Sequence, residues 1–283
     1  MSTISTEQRT IAKPKAQLGE LSNRTRRRIV VIAGRVVLLL IACLIWELAA
    51  RERWMNPVFI GRPSQIIVDY GRAFTGSVLM VDARATVVAT LLGFALATIA
   101  GITGAMVLTQ ITILDEIVQP FFTALNSMPR VALAPLFVMW FGVGIVSKVA
   151  LAASLVFFVV LLNTMAGIQS VDRDHVTLAR TLGASPFAIF LKIKLPSAIP
   201  SIFAGIELGM IYGFLGTVAG EMLAGDQGIG VRLQEYSGLF ETNKFFAALL
   251  LLVTITTAIS LGLRAIRRRL LRWQNMGIGK PES

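Results

Sequence analysis

Residues 29–50 form an almost unbroken apolar run in which only Arg35 and Glu47 belong to the charged residue types. An α-helix rises about 1.5 Å per residue, so about 20 such residues cross the hydrocarbon of a bilayer. The run is longer than the ~7–15 apolar residues of a secretory signal and reads as a retained first span. Similar runs recur at 86–108, 146–168, 198–222 and 245–263. A further one, 113–126 continued by 131–141, is interrupted at Ser127-Met128-Pro129. The expected fold is therefore an all-α polytopic membrane protein with about six transmembrane helices. Composition agrees. Hydrophobic residues make up 55% and charged residues 15%, against about 25% charge in soluble domains, and the mean hydropathy is +0.72.

The net charge of +11 raises the possibility of nucleic acid as a partner, but its placement argues against it. Seven Lys and Arg precede residue 29 and six lie from Arg264 onward, each group abutting an apolar run. Flanking charge of this kind orients membrane helices, and no basic groove with stacking aromatics is visible. With both termini inside, cytoplasmic segments hold 17 Lys and Arg and external ones hold 8. The expected location is a membrane crossed several times, with both termini cytoplasmic and lipid as the surrounding solvent. The division expected is a disordered cytoplasmic tail (1–28), first span (29–50), periplasmic segment (51–85), core (86–264) and basic cytoplasmic tail (265–283). Within 51–85, Ser64 reads as the N-cap of a short amphipathic helix. Cys43 alone excludes an intrachain disulfide and a thiol metal site. His175 has no ligating or acid–base partners nearby in sequence, so no metal site is expected.

The interruption matters because Pro129 removes a backbone donor and disfavours helix at Met128. Broken helix at membrane depth is tolerated where backbone meets protein or a water-filled cavity. Asn126, Ser127, Met128, Pro129 and Arg130 are therefore candidate lining of a translocation path. For Arg130 the alternatives are contact with an anionic solute, satisfaction of free carbonyls at the break, or pairing with Glu207. Glu207, an ionisable group within a span, is a candidate path or gate residue, with a salt bridge near the cytoplasmic face as the other reading. Glu221 and Asp226 flank a Gly-rich external loop and are candidates for docking another protein, or simply part of a solvated turn. Gly93, Gly101 and Gly104, with Ala97 and Ala100, supply small residues at helical spacing for close helix packing.

The segment 169–197 is polar yet reads as two short amphipathic helices joined at Gly183-Ala184-Ser185, which suggests a docking element. The run Thr177-Leu178-Ala179-Arg180-Thr181-Leu182-Gly183-Ala184-Ser185, followed by Ile193, Leu195-Pro196, Ala198, Pro200 and Gly205, resembles the "EAA" loop of binding-protein-dependent ABC importer permeases. The nitrate, sulfonate and taurine branch is also similar at Pro129 to Leu136, at Trp140-Phe141-Gly142, at Ser147-Lys148, at Glu221-Met222-Leu223 with Gly228-Ile229-Gly230, and at Arg267 to Trp273. The resemblance covers roughly residues 60–273. It implies a type I ABC importer permease fold, with Thr177, Ala179, Arg180, Leu182, Gly183, Ala184 and Ser185 forming the coupling element. It further implies two permease chains, here a homodimer, two cytoplasmic ABC ATPase subunits that bind ATP and Mg, and a periplasmic or lipid-anchored solute-binding protein. The cargo implied is a small, anionic organic or inorganic solute such as a sulfonate, taurine or nitrate. Two positions depart from the pattern: Thr177 stands where the family has Glu, and Glu207 where this branch has a basic residue.

No cofactor is expected in this chain. Gly142-x-Gly144-x-x-Ser147-Lys148 fails the phosphate-loop spacing, so the chain would act as a transporter subunit without its own ATPase site. A secondary transporter or channel driven by an ion gradient is the alternative, and it would show paired broken helices in inverted repeats. A membrane enzyme lacks a nucleophile, metal cluster or paired carboxylates.

Overall fold

A computed structural model describes residues 15–52, 54, 56–75 and 78–271. Regular structure among the described residues is entirely helical, and the chain divides into two units, residues 1–64 and 65–283.

The first unit holds α1 (Lys15–Arg51), α2 (Pro57–Ile60) and the start of α3 (Pro63–Ala73). Helix α1 begins well before the apolar run. The expected disordered tail is thus helical from Lys15, a stretch free of proline that extends the span's helix, while residues 1–14 lie outside the described residues. The Trp46 indole donates to the Ile60 carbonyl at 3.1 Å. Ser64 does not cap α3 with its own side chain. The Glu47 carboxylate accepts both the Ser64 N–H (3.0 Å) and Oγ–H (2.9 Å), so an acidic group from α1 meets the positive end of the α3 dipole.

The second unit continues with α4 (Val78–Gln110), α5 (Thr112–Ser127), a 3₁₀ turn (Arg130–Leu133), α6 (Ala134–Phe141) and α7 (Ile145–Gln169). After these come α8 (Arg173–Thr181), α9 (Pro186–Ile189), a π turn (Phe190–Lys194), α10 (Leu195–Ala224), α11 (Ile229–Gly238) and α12 (Thr242–Leu270). Its centre is α7, flanked by α4 and α10. In lipid, helices gain little from apolar burial alone and must approach closely to gain dispersion energy. Glycines permit that here. A Cβ on Gly101 of α4 would lie 3.0 Å from the Phe157 carbonyl oxygen, and one on Gly216 of α10 would lie 2.7 Å from Leu155 Cδ1. A second apolar cluster joins α3, α4, α11 and α12 through Ala73, Leu79, Ala83, Ile229, Leu233, Ala248 and Leu251.

Several boundaries differ from expectation. Helix α4 starts at Val78 rather than at 86, because its first turns carry polar groups that other elements bind. The fifth span begins at Pro186, since the second half of the polar segment and α10 form one continuous helix, Pro186–Ala224. Pro196 sits in α10's first turn, where its missing N–H is tolerated, and Pro200 follows within the helix. Helix α12 carries Arg264 to Arg269 on its last turns, and residues 272–283 lie outside the described residues. The third segment breaks where expected, but its second limb turns through 86° instead of completing a straight crossing. Five helices are long and apolar enough to span, or six if the bent pair counts as one.

Candidate functional site

Three places carry polar chemistry. The first is the elbow between α8 and α9. Asp172 caps α8 by accepting the Asp174 N–H at 2.9 Å. At the other end Gly183 takes φ +79°, which lets Gly183 N–H reach the Arg180 carbonyl (2.9 Å) and Ala184 N–H the Ala179 carbonyl (3.0 Å). Ser185 Oγ then accepts the Ala188 N–H at 3.2 Å and starts the next helix. A Cβ on Gly183 would find nothing within 4 Å. Leu178, Leu182 and Phe187 are 59%, 78% and 71% exposed, so the elbow presents a bare apolar tip. Thr177, Arg180, Leu182, Gly183 and Ser185 are exposed, and Ala179 and Ala184 are half-buried. Behind the tip, Phe190 is buried against Ile168, Ala198 and Ile202, which roots the elbow in the bundle.

The second place is the break. Asn126, Ser127, Met128 and Pro129 are exposed, while Arg130 is buried. Its Nη2 donates to Asn126 Oδ1. Its guanidinium carbon stands 4.2 Å from the centre of the Phe158 ring, a cation–π contact. Its Nε has no partner among the described residues. Ser127 Oγ bonds the Thr123 carbonyl at 2.8 Å. Glu207 is not part of this group. Arg267 donates to its carboxylate at 3.2 Å and Arg264 approaches at 3.6 Å, so the pairing of Arg130 with Glu207 does not form and Glu207 instead ties α10 to α12.

The third place lies where α4, α7 and α10 meet the loop leading into α11. Three successive N–H groups at the start of α11 need acceptors. Asp82 Oδ1 takes that of Gly228 (3.1 Å), Thr86 Oγ1 that of Ile229 (2.8 Å) and Glu221 Oε2 that of Gly230 (2.9 Å). Asp82 also binds Arg232 Nε at 2.6 Å, which holds that guanidinium above its usual pKa, and Thr86 Oγ1 donates to Glu221 at 2.9 Å. Lys148 of α7 reaches the same loop through Asp226 Oδ1 (2.7 Å) and the Gln227 carbonyl (2.6 Å). The hydrogen bond from Lys148 keeps the Asp226 carboxyl below the ordinary aspartate range. Glu221 is 1% exposed. Neither the docking nor the solvated-turn reading fits Glu221, because its carboxylate faces inward onto α11, whereas Asp226 remains half-exposed. Asp82, Thr86 and Arg232 were not singled out from sequence, and Lys148 entered only through the likeness at Ser147-Lys148. The available signal was charges of opposite sign, Lys148 and Glu221, inside two apolar runs.

Five helices among the described residues, or six with the bent pair, are long and apolar enough to span, the architecture of a polytopic membrane protein. The chain belongs to the family of binding-protein-dependent transport system inner membrane components, whose model matches residues 93–272. It is 32% identical over 243 residues to the riboflavin transport system permease protein RibX of Chloroflexus aurantiacus, covering 85% of this chain and 90% of that one. It is 27% identical to the taurine transport system permease protein TauC of Escherichia coli, covering 87% and 90%. Its fold is similar to that of the MetNI methionine ABC transporter in an inward-facing structure (TM-score 0.59, 18% identity, 68% of this chain and 95% of that one). The chain is accordingly an ABC importer permease subunit, a multi-pass inner-membrane protein whose family works with ATPase and substrate-binding partners.

Proposed function

We propose that this chain forms the translocation pathway for a small anionic solute of the sulfonate, taurine or nitrate kind, as a homodimer with both termini in the cytoplasm. ATP is bound and hydrolysed by separate subunits, each receiving the elbow of residues 177–185. Solute arrives from an external binding protein, with the half-exposed Asp226 on the docking face. The observation that carries the reading is the elbow: an exposed apolar tip turned by a left-handed glycine and continuous with a spanning helix. A push on that tip moves the span with it. The anionic character rests on Arg130, a buried cation that no carboxylate pairs with among the described residues and that sits beside Asn126 at the break. Buried charge without a counter-ion attracts one.

Uptake by the whole transporter in vesicles tests this. Gly183→Ala adds only the left-handed backbone cost of about 1–2 kcal/mol and retains most ATP-driven uptake. Gly183→Trp blocks the seating of the tip and lowers uptake at least tenfold with normal membrane insertion. Undiminished uptake in the Trp variant overturns the coupling assignment.

A further inference from the structure

Helix α5 divides into three faces about a third of a turn apart at ~100° per residue. Leu114, Val118 and Phe122 pack against Ala105, Leu108 and Leu161 and fix the helix to the bundle. Ile113, Ile117 and Phe121 are 73%, 58% and 66% exposed, an apolar face suited to hydrocarbon. On the remaining face stand Asp115, Glu116, Gln119, Thr123, Asn126 and Ser127, all exposed except the half-buried Asp115. The stripe runs the length of the helix and ends at the break beside Arg130.

Hydrocarbon cannot serve such a face. Thr123 Oγ1 and Ser127 Oγ turn back to the Gln119 and Thr123 carbonyls (3.0 and 2.8 Å), which relieves two hydroxyls. The Gln119 amide makes no hydrogen bond among the described residues, and the two carboxylates near the start of α5 are unpaired there. Amides and carboxylates left facing lipid are strongly disfavoured, so this side needs water or polar protein.

We infer that the polar stripe of α5 is one wall of a water-filled groove running from the cytoplasmic end of α5 to the break, along which the solute leaves Arg130. This rests on the permease reading above and extends its pathway to Glu116, Gln119 and Thr123. Water is favoured over a second copy of the chain as occupant because the stripe carries adjacent carboxylates, which would repel their counterparts in a symmetric contact.

The test replaces Cys43 by Ser and introduces single cysteines into the whole transporter, Gln119→Cys and Thr123→Cys on the stripe, Ile117→Cys and Phe121→Cys on the apolar face. Inside-out vesicles are treated with a membrane-impermeant, negatively charged methanethiosulfonate, and ATP-driven uptake is measured in the same vesicles. Positions 119 and 123 label at least tenfold faster than 117 and 121, and labelling at 123 slows when the ATPase is trapped with nucleotide. Equal slow labelling at all four positions overturns the groove. So does spontaneous disulfide formation between copies at 119 or 123 without labelling, which makes the stripe a contact between copies. Fast stripe labelling in vesicles that show no ATP-driven uptake leaves the groove standing and removes the permease reading instead.

Discussion

Glu221 and Gly228 show how little freedom single residues have where α10 meets α11. Gly228 has φ +126°, and a Cβ there would lie 2.1 Å from the Glu221 carboxyl carbon. Gly228→Ala therefore meets both a forbidden backbone region and the buried carboxylate, and is expected to destabilise by roughly 2–5 kcal/mol. Gly238→Ala, at a site with nothing within 4 Å of a Cβ, is the control and leaves the melting temperature in detergent nearly unchanged. A similar fall in both variants contradicts the specific role of Gly228. Lys148 supports the same loop from α7. Because its hydrogen bond depresses the Asp226 pKa, the pair's contribution is fully present above the ordinary aspartate value of about 3.9. It is lost as pH falls through the lowered native one. Melting temperature should drop on that acid limb, and Lys148→Met should lower it at neutral pH while flattening this part of the pH dependence. Since Asp226 is 52% exposed, the effect is modest.

At the scale of helices, the spans, the break and the elbow were legible from sequence because each is a local signal: apolar length, a proline, or a Gly between amphipathic turns. The 86° change of direction after Met128 was not, since residue order gives the position of a break but not the angle, which the contacts of α6 with α7 and α10 decide. The extension of α10 back to Pro186 was hidden by two lysines and two prolines that mimic a loop. The clamp on α11 was hidden for a different reason. Asp82, Lys148 and Glu221 are 66 or more positions apart, and their convergence depends on how closely α4, α7 and α10 approach. That approach is itself testable. A Cβ on Gly216 would lie 2.9 Å from the Ala152 backbone, so Gly216→Val should force α10 off α7 and abolish recovery of folded protein from membranes. Wild-type yield and melting temperature in that variant contradict the close contact.

For the whole molecule, Glu207 bridges the end of α12 to the middle of α10 through Arg264 and Arg267. Glu207→Arg sets three cations together and is expected to lower both uptake and thermal stability. Adding Arg267→Glu to the same chain restores part of both, because an opposite pair forms again. Equal uptake in all three proteins shows that the bridge is idle. Larger still is the continuous helical run of 39 residues, Pro186–Ala224, with the π turn inside it, about 58 Å long at 1.5 Å per residue. One end carries the exposed elbow and the other, at Glu221, grips the first turn of α11. Such a connecting rod swings its far end by roughly 5 Å for each 5° of tilt. A displacement imposed at either end of such a body is therefore carried to the other without any relay of smaller parts.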